Sequence, residues 1–320
     1  MKRFLAFTIS LTLAATAVAA DTWPSRSIRY IVPFGAGGST DTLSRVIAER
    51  LQQRLGQPVV IENIGGVGGS IGMARLSRAV PDGYTIGLGN TASHAITPVI
   101  QPVKPYDPIE GFTPITLLAE YHNVLVVNAA LPAKDLSEFI ALAQRSDTPL
   151  AYGSSGVGSS NHLTSELLAR GAGANFTHIP YKGNNEAMTA VAAGHVDWMF
   201  ATASEVQPFV AAGKVRALAT SGQDTEPLLP DVPPIASVLP GFSVVGWMAL
   251  FGPSHLPKAI ADRINKEVVD ILADPQVAAR YEALGLRVVA STQAEATRRV
   301  AEDYESWKAV SEAAGVGGRP

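Results

Sequence analysis

The chain has 320 residues, 47% of them hydrophobic and 17% charged, with 25 basic side chains against 28 acidic ones and no cysteine. This length suffices for two lobes with separate cores. The charge balance speaks against a nucleic-acid partner, which would call for a basic excess, and the absence of cysteine excludes disulfides, thiol catalysis and thiolate metal sites.

Met1, Lys2 and Arg3 form a basic start, Phe4 to Val18 an apolar run, and Ala17 to Ala20 a small-residue stretch. That is the order of a secretory leader, assigned to residues 1–20, with cleavage after Ala19 or Ala20. The apolar run falls short of the roughly 20 residues of a membrane span, and no cysteine follows it to carry a lipid. Loss of Lys2 and Arg3 leaves 23 basic against 28 acidic residues.

Ile28 to Val32 reads as a buried strand. Ser39 to Asp41 is a helix N-cap cluster, followed by Leu43, Val46, Ile47, Leu51 and Leu55 at helical spacing. Gly56 to Pro58 stops that helix, Val59 to Ile61 is a strand, Gly65 to Gly69 a turn, and Ile71 to Val80 a second helix. Tyr84 to Gly89 is a strand after a tight turn at Pro81 to Gly83. Further strands are expected at 124–128, 150–153, 176–179, 196–200 and 215–220, with helices between most of them. The proline-rich stretch 227–240 is a crossover loop, and amphipathic helices at 258–273 and 292–314 close the chain. Such alternation predicts an α/β protein with a mostly parallel sheet in each lobe.

Two segments are alike. Val32-Pro-Phe-Gly-Ala-Gly-Gly-Ser-Thr-Asp41 and Tyr152-Gly-Ser-Ser-Gly-Val-Gly-Ser-Ser-Asn-His162 each run from a strand through a Gly/Ser turn into a helix. Such a turn offers backbone N–H groups, hydroxyls and the positive end of a helix dipole, which together hold an anion without a basic side chain. The alternative for each is an ordinary strand-to-helix turn. Enzyme signatures are missing: Thr40 replaces the third glycine of a dinucleotide fingerprint, no Gly-Lys-Ser/Thr occurs, Val157 breaks G-x-S-x-G, and no two histidines have zinc-hydrolase spacing. A binding protein is expected, against a secreted hydrolase or isomerase.

The chain resembles, over essentially its full length, the substrate-binding proteins of tripartite tricarboxylate transporters, the Bug or TctC family. The likeness rests on Trp23-Pro-Ser-Arg-Ser-Ile, the 32–41 segment, Leu55-Gly-Gln-Pro-Val-Val-Ile-Glu-Asn63, Gly65-Gly-Val-Gly-Gly69, Pro81-Asp-Gly-Tyr84, Pro105-Tyr-Asp-Pro108, Tyr152-Gly-Ser-Ser-Gly156, His178-Ile-Pro-Tyr-Lys-Gly183, Gly213 to Ala219 and Leu229 to Pro233. The resemblance implies a two-lobe periplasmic binding protein that closes like a Venus flytrap, with lobe 1 at 23–123 plus 241–320 and lobe 2 at 124–240. It implies a small carboxylate ligand, membrane transporter components as partners, no cofactor and a monomer; presentation of the ligand to a membrane receptor is the other use of the same protein. It places the ligand at Phe34, Gly37, Gly38, Ser39, Thr40 and Asp41 on one wall with Asn90 and Thr91, and at Ser154, Ser155, Gly158, Ser159, Ser160 and Asn161 on the other with Ala201 and Thr202. Family members often carry an acidic residue where Ala201 stands, so a ligand without an amine is expected, an aliphatic or aromatic mono- or dicarboxylate.

Overall fold

The structure, a computed structural model, describes residues 23–314 apart from 102, 158 and 182, so the leader assigned to 1–20 lies outside the described residues. The chain opens with β1 (Ile28–Val32), α1 (Ser39–Leu55), β2 (Val59–Asn63), α2 (Ser70–Ser77), β3 (Thr85–Asn90) and the short α3 (Thr97–Ile100). β4 (Phe112–Asn128) leads to α4 (Leu136–Arg145), β5 (Leu150–Ser154), α5 (Ser160–Ala172), β6 (Phe176–Pro180), α6 (Asn184–Ala192), β7 (Trp198–Thr202), α7 (Ala203–Ala211) and β8 (Val215–Thr220). The chain ends with β9 (Val245–Pro253), α8 (Lys258–Leu272), α9 (Pro275–Glu282), β10 (Arg287–Val288) and α10 (Gln293–Ala314).

The described strands form one sheet of ten, in the order β2-β1-β3-β9-β4-β7-β5-β6, with β8 and β10 each also paired with β4. The sheet is mixed. β2-β1-β3 and β7-β5-β6 pair in parallel as βαβ units, whereas β4, β8, β9 and β10 add antiparallel pairs. β4, at 17 residues, is more than three times the length read from the sequence. Its first half holds Pro114 and the polar run Glu120 to Asn123, which obscure the strand pattern; the register shifts between Pro114 and Thr116, a bulge that lets a proline sit in a ladder. β9 and α9 were likewise not legible as elements.

One strand thus serves two cores. Residues 112–122 of β4 pair with β9, and residues 123–128 pair with β7 and β8. The β1, α1 and α8 side packs Tyr30, Leu43, Ile47, Leu250 and Tyr281, and the opposite face packs Ile31, Met73, Trp247 and Phe251. Around the second half of β4, Phe139, Tyr152, Trp198 and Phe200 fill one face, and Val124, Val126, Met188, Met199 and Ala201 fill the other. The outgoing and returning chains meet at Asn123, Ser221 and Val244. Asn123 N–H donates to Ser221 Oγ at 2.9 Å, Ser221 Oγ donates to the Val244 carbonyl at 2.6 Å, and Val244 N–H donates to the Ser221 carbonyl at 2.7 Å.

Candidate functional site

The first Gly/Ser turn is held from beneath. Asp41 is buried, and its Oδ2 accepts from the Gly37 N–H and from Arg45 Nε, each at 2.9 Å. Asn63 Nδ2 donates to Asp41 Oδ1 at 2.9 Å and to the Phe34 carbonyl at 3.1 Å. Burial pushes the Asp41 carboxyl up, but the bonds from Arg45, Gly37 and Asn63 outweigh it and hold the group below the usual carboxylate range. Asp41 is therefore a clamp with its lone pairs spent inside the protein. Above it, Gly37 and Gly38 are exposed, Ser39 and Thr40 are half-buried, and no side chain caps α1. The first N–H groups of a helix have no intrahelical partner and carry its positive end, so the open face of this turn presents donors and no acceptor carboxylate.

The turn rests on the Gly65 to Gly69 segment. Gly69 has a φ of 93°, and a Cβ there would lie 3.1 Å from Ser93 Cβ and 3.3 Å from Phe34 Cζ, so both the backbone conformation and the close approach require glycine. Ser93 belongs to the turn after β3, where its N–H donates to Asn90 Oδ1 and Asn90 N–H donates to Ser93 Oγ, both at 3.0 Å. Asn90 and Thr91 are buried, and Thr91 Oγ1 accepts from the Trp247 N–H at 3.0 Å. The next residues, Ala95 and Ile96, pack against Leu163 of α5. The turn after β3 thus lies between the two Gly/Ser turns.

The second turn satisfies itself. Asn161 Oδ1 accepts from Ser155 Oγ at 3.2 Å, Ser159 Oγ at 2.6 Å and the His162 N–H at 3.1 Å. Its Nδ2 donates to Asn184 Oδ1 at 2.9 Å and to the Phe200 carbonyl at 3.1 Å. Asn184 Nδ2 in turn donates to both Glu205 oxygens, at 3.1 and 2.9 Å. A carboxylate only accepts. Glu205 therefore requires the amide of Asn184 to face it, which leaves Asn184 Oδ1 for the amide of Asn161, and so fixes the Asn161 carbonyl toward the turn. Glu205 also accepts from the Thr202 N–H and Oγ1 at 3.1 and 2.9 Å, capping α7.

Behind this turn the rings of Tyr152, His162 and His178 stack, with His162 and His178 centroids 4.1 Å apart. Burial lowers the pKa of both histidines to about 4, and His162 lowers His178 further. They are neutral near pH 7. His178 Nε2 and the buried Ser154 Oγ are 2.6 Å apart, and Ser154 Oγ accepts from the Gly156 N–H at 3.1 Å. Tyr121, on β4, is buried, and burial raises its pKa to about 12, so it stays neutral. Among the described residues no group of three or more His, Asp or Glu could hold a metal ion.

The expected residues fall into three sets. Gly37, Gly38, Ser39 and Thr40 line the open turn, with half-buried Phe34 wedged against Gly69. Asp41, Asn90, Thr91, Ser154 and Asn161 are buried framework; Ser155, Ser159 and Ser160 are half-buried on the other turn, and half-buried Thr202 caps α7. Gly158 lies outside the described residues. Ala201 does not line a wall: it has no exposed surface and packs with Met199 and Val206, because alternation along β7 turns it inward. Trp198 and Phe200 are equally buried on the opposite face. Asn63, Ser93, Tyr121, Asn184 and Glu205 were missed. Asn63 and Asn184 act through partners distant in sequence, Ser93 bonds Asn90 three residues before it, and Glu205 sits in a Thr-x-x-Glu capping box, the local signal that could have found it.

The chain is similar over most of its length to known proteins. The description "Tripartite tricarboxylate transporter family receptor" matches residues 43–316. A UPF0065 protein in the tcbD-tcbE intergenic region of Pseudomonas sp. strain P51 is 34% identical over 306 residues, covering 95% of this chain and 90% of that protein. An R. palustris protein solved with adipate superposes with a TM-score of 0.84 at 31% identity, covering 92% of this chain and 99% of that one. MatC from Rhodopseudomonas palustris with bound malate gives a TM-score of 0.78 at 33% identity, covering 90% and 99%.

Proposed function

Because the chain belongs to the tripartite tricarboxylate transporter receptor family, we propose that it is a periplasmic binding protein that captures a small aliphatic dicarboxylate between two lobes and delivers it to a membrane component of such a transporter. On this reading the lobes are 23–123 with 241 onward, and 124–240, the Asn123–Ser221–Val244 crossing is the hinge, and the protein acts as a monomer without altering its ligand. The observation that carries the reading is the N-terminus of α1, open and uncapped above a turn that Asp41 clamps from below. A carboxylate placed there meets N–H donors and a helix dipole, and the Asp41 charge beneath the turn is paired with Arg45. The second turn, neutral and internally bonded, supplies a rigid opposite wall whose half-buried hydroxyls keep free lone pairs for bridging water. The relatives solved with adipate and malate support a dicarboxylate. The case for an aromatic ligand loses its ground, since Trp198 and Phe200 are core residues.

The test is thermal shift and calorimetry on purified protein with adipate, malate and succinate, and acetate as the control. A dicarboxylate at 100 times its Kd stabilises by about 2.7 kcal/mol, and small-angle scattering should report compaction on binding. No binding of any dicarboxylate at millimolar concentration, or turnover of one, overturns the proposal.

A further inference from the structure

We infer that a groove on the first half of the molecule is the surface through which the protein docks on its membrane partner, and that the occupant is an apolar segment of that partner bearing acidic side chains. The groove lies between α2 and Gln101, Val103 and Pro105, over β1, and has a volume of about 750 Å³. Val67, Ile71 and Val103 line it and are 60%, 52% and 78% exposed, among the most exposed large apolar residues described. Contiguous exposed apolar side chains with a polar rim mark interaction sites.

The rim names the partner's chemistry. Arg29, Arg75 and Arg78 line the groove and no carboxylate does. Glu62 beside it is shared by Arg29 at 3.2 Å and Arg75 at 3.4 Å, and among the described residues Arg78 donates to the Pro105 carbonyl at 3.4 Å and pairs with no carboxylate. Three guanidiniums with one carboxylate among them leave a net positive rim on a chain whose overall balance is negative. Charge of this kind selects an acidic partner and speeds its encounter.

The groove is also continuous with the candidate ligand turn. Val67 has a φ of 46°, a left-handed conformation costly for a β-branched residue, and it belongs to the same glycine-rich segment that packs on Phe34 and Ser93. A Cβ at Gly66 would lie 2.7 Å from Ile71 Cδ1, and one at Gly68 2.2 Å from Thr97 Oγ1. Movement of the Phe34 turn on capture would therefore reach Val67 and Ile71, so a partner seated in the groove reads whether ligand is bound. The inference rests on the delivery reading above.

The experiment measures uptake of radiolabelled adipate or malate, whichever the purified protein binds, in cells lacking the chromosomal copy and supplied with wild type, Arg75→Glu/Arg78→Glu, Arg75→Lys/Arg78→Lys, Val103→Glu or, on the exposed start of α8, Lys258→Glu. The two groove variants carrying new carboxylates should lose uptake by roughly tenfold or more at equal periplasmic levels, while the purified proteins bind the ligand as wild type does. The lysine pair and Lys258→Glu should transport normally. Wild-type uptake by the groove variants refutes the docking surface, as does a matching loss of ligand affinity. Sedimentation of the purified wild type with phosphatidylglycerol vesicles, lost in the Arg75→Glu/Arg78→Glu variant, would reassign the groove to lipid and refute a protein occupant. Wild-type protein that binds ligand yet restores no uptake refutes the delivery reading, and the docking proposal with it.

Discussion

Asp41→Asn separates a clamp from a contact. The carboxylate touches no open surface, yet it fixes the turn whose N–H groups are proposed to hold the ligand. It accepts three bonds at 2.9 Å: two at Oδ2, from the Gly37 N–H and Arg45 Nε, and one at Oδ1, from Asn63. The least damaging asparagine rotamer keeps its oxygen at the Oδ2 position and turns its amide toward the Asn63 amide. One bond is then lost to a donor–donor clash, the Gly37 bond loses its charge assistance, and the Arg45 bond loses its ion-pair partner. With hydrogen bonds to charged groups worth about 1.5–3 kcal/mol, the expected loss of stability is about 2–4 kcal/mol. Urea denaturation reads it as a lower midpoint at unchanged slope. Calorimetry with the best dicarboxylate, well below the melting transition, should show affinity weakened by about tenfold or more, about 1.4 kcal/mol. The folded carboxyl sits below its usual range, so its contribution is present above the unfolded pKa and disappears as pH falls through the folded value; the two proteins should converge in stability toward strongly acid pH. An asparagine variant that matches wild type in both midpoint and affinity refutes the clamp.

Three further outcomes follow from the buried polar groups and tight contacts. His94 is fully buried with its pKa lowered by burial to about 3; a depressed pKa means stability held above about pH 6.5 and lost as pH falls, by about 2 kcal/mol from pH 6.5 to 5 for this group alone, and a denaturation midpoint flat over that range would contradict it. Gly89→Ala puts a Cβ 2.3 Å from His94 Cε1 and 2.6 Å from Phe251 Cε2, where the two rings stack at 4.1 Å; such overpacking costs about 1–3 kcal/mol, and a variant melting like wild type would show that the rings can part. Glu205→Gln places an amide against the amide of Asn184 and should destabilise by about 1–3 kcal/mol and weaken ligand binding. Asn184→Asp in the same chain restores an acceptor for both amides and should recover most of each loss; additive losses would mean that the Glu205–Asn184–Asn161 chain does not set the orientation of the turn.

Much of the α/β alternation and both Gly/Ser turns were legible because their signals are local. The apolar spacing of α1 and the glycines before it are readable within one window, and so are the serines that lead into α5. Of β4 only the end at 124–128 was legible, because Pro114 and the polar run through Asn123 break the local pattern, and only pairing with β9 across more than a hundred residues makes the rest a strand. Ala201 was assigned to a wall from its place after a strand, but which face of β7 is buried depends on what packs on each side. The two turns look interchangeable in sequence. Tertiary structure makes them different: Asp41 and Asn63 spend their bonds beneath the first turn and leave its N–H groups open, while Asn161 gathers the hydroxyls of the second inward. That difference arises from buried polar groups finding partners across the fold, since each must be satisfied wherever an acceptor or donor lies in space, and no local sequence pattern records where that will be.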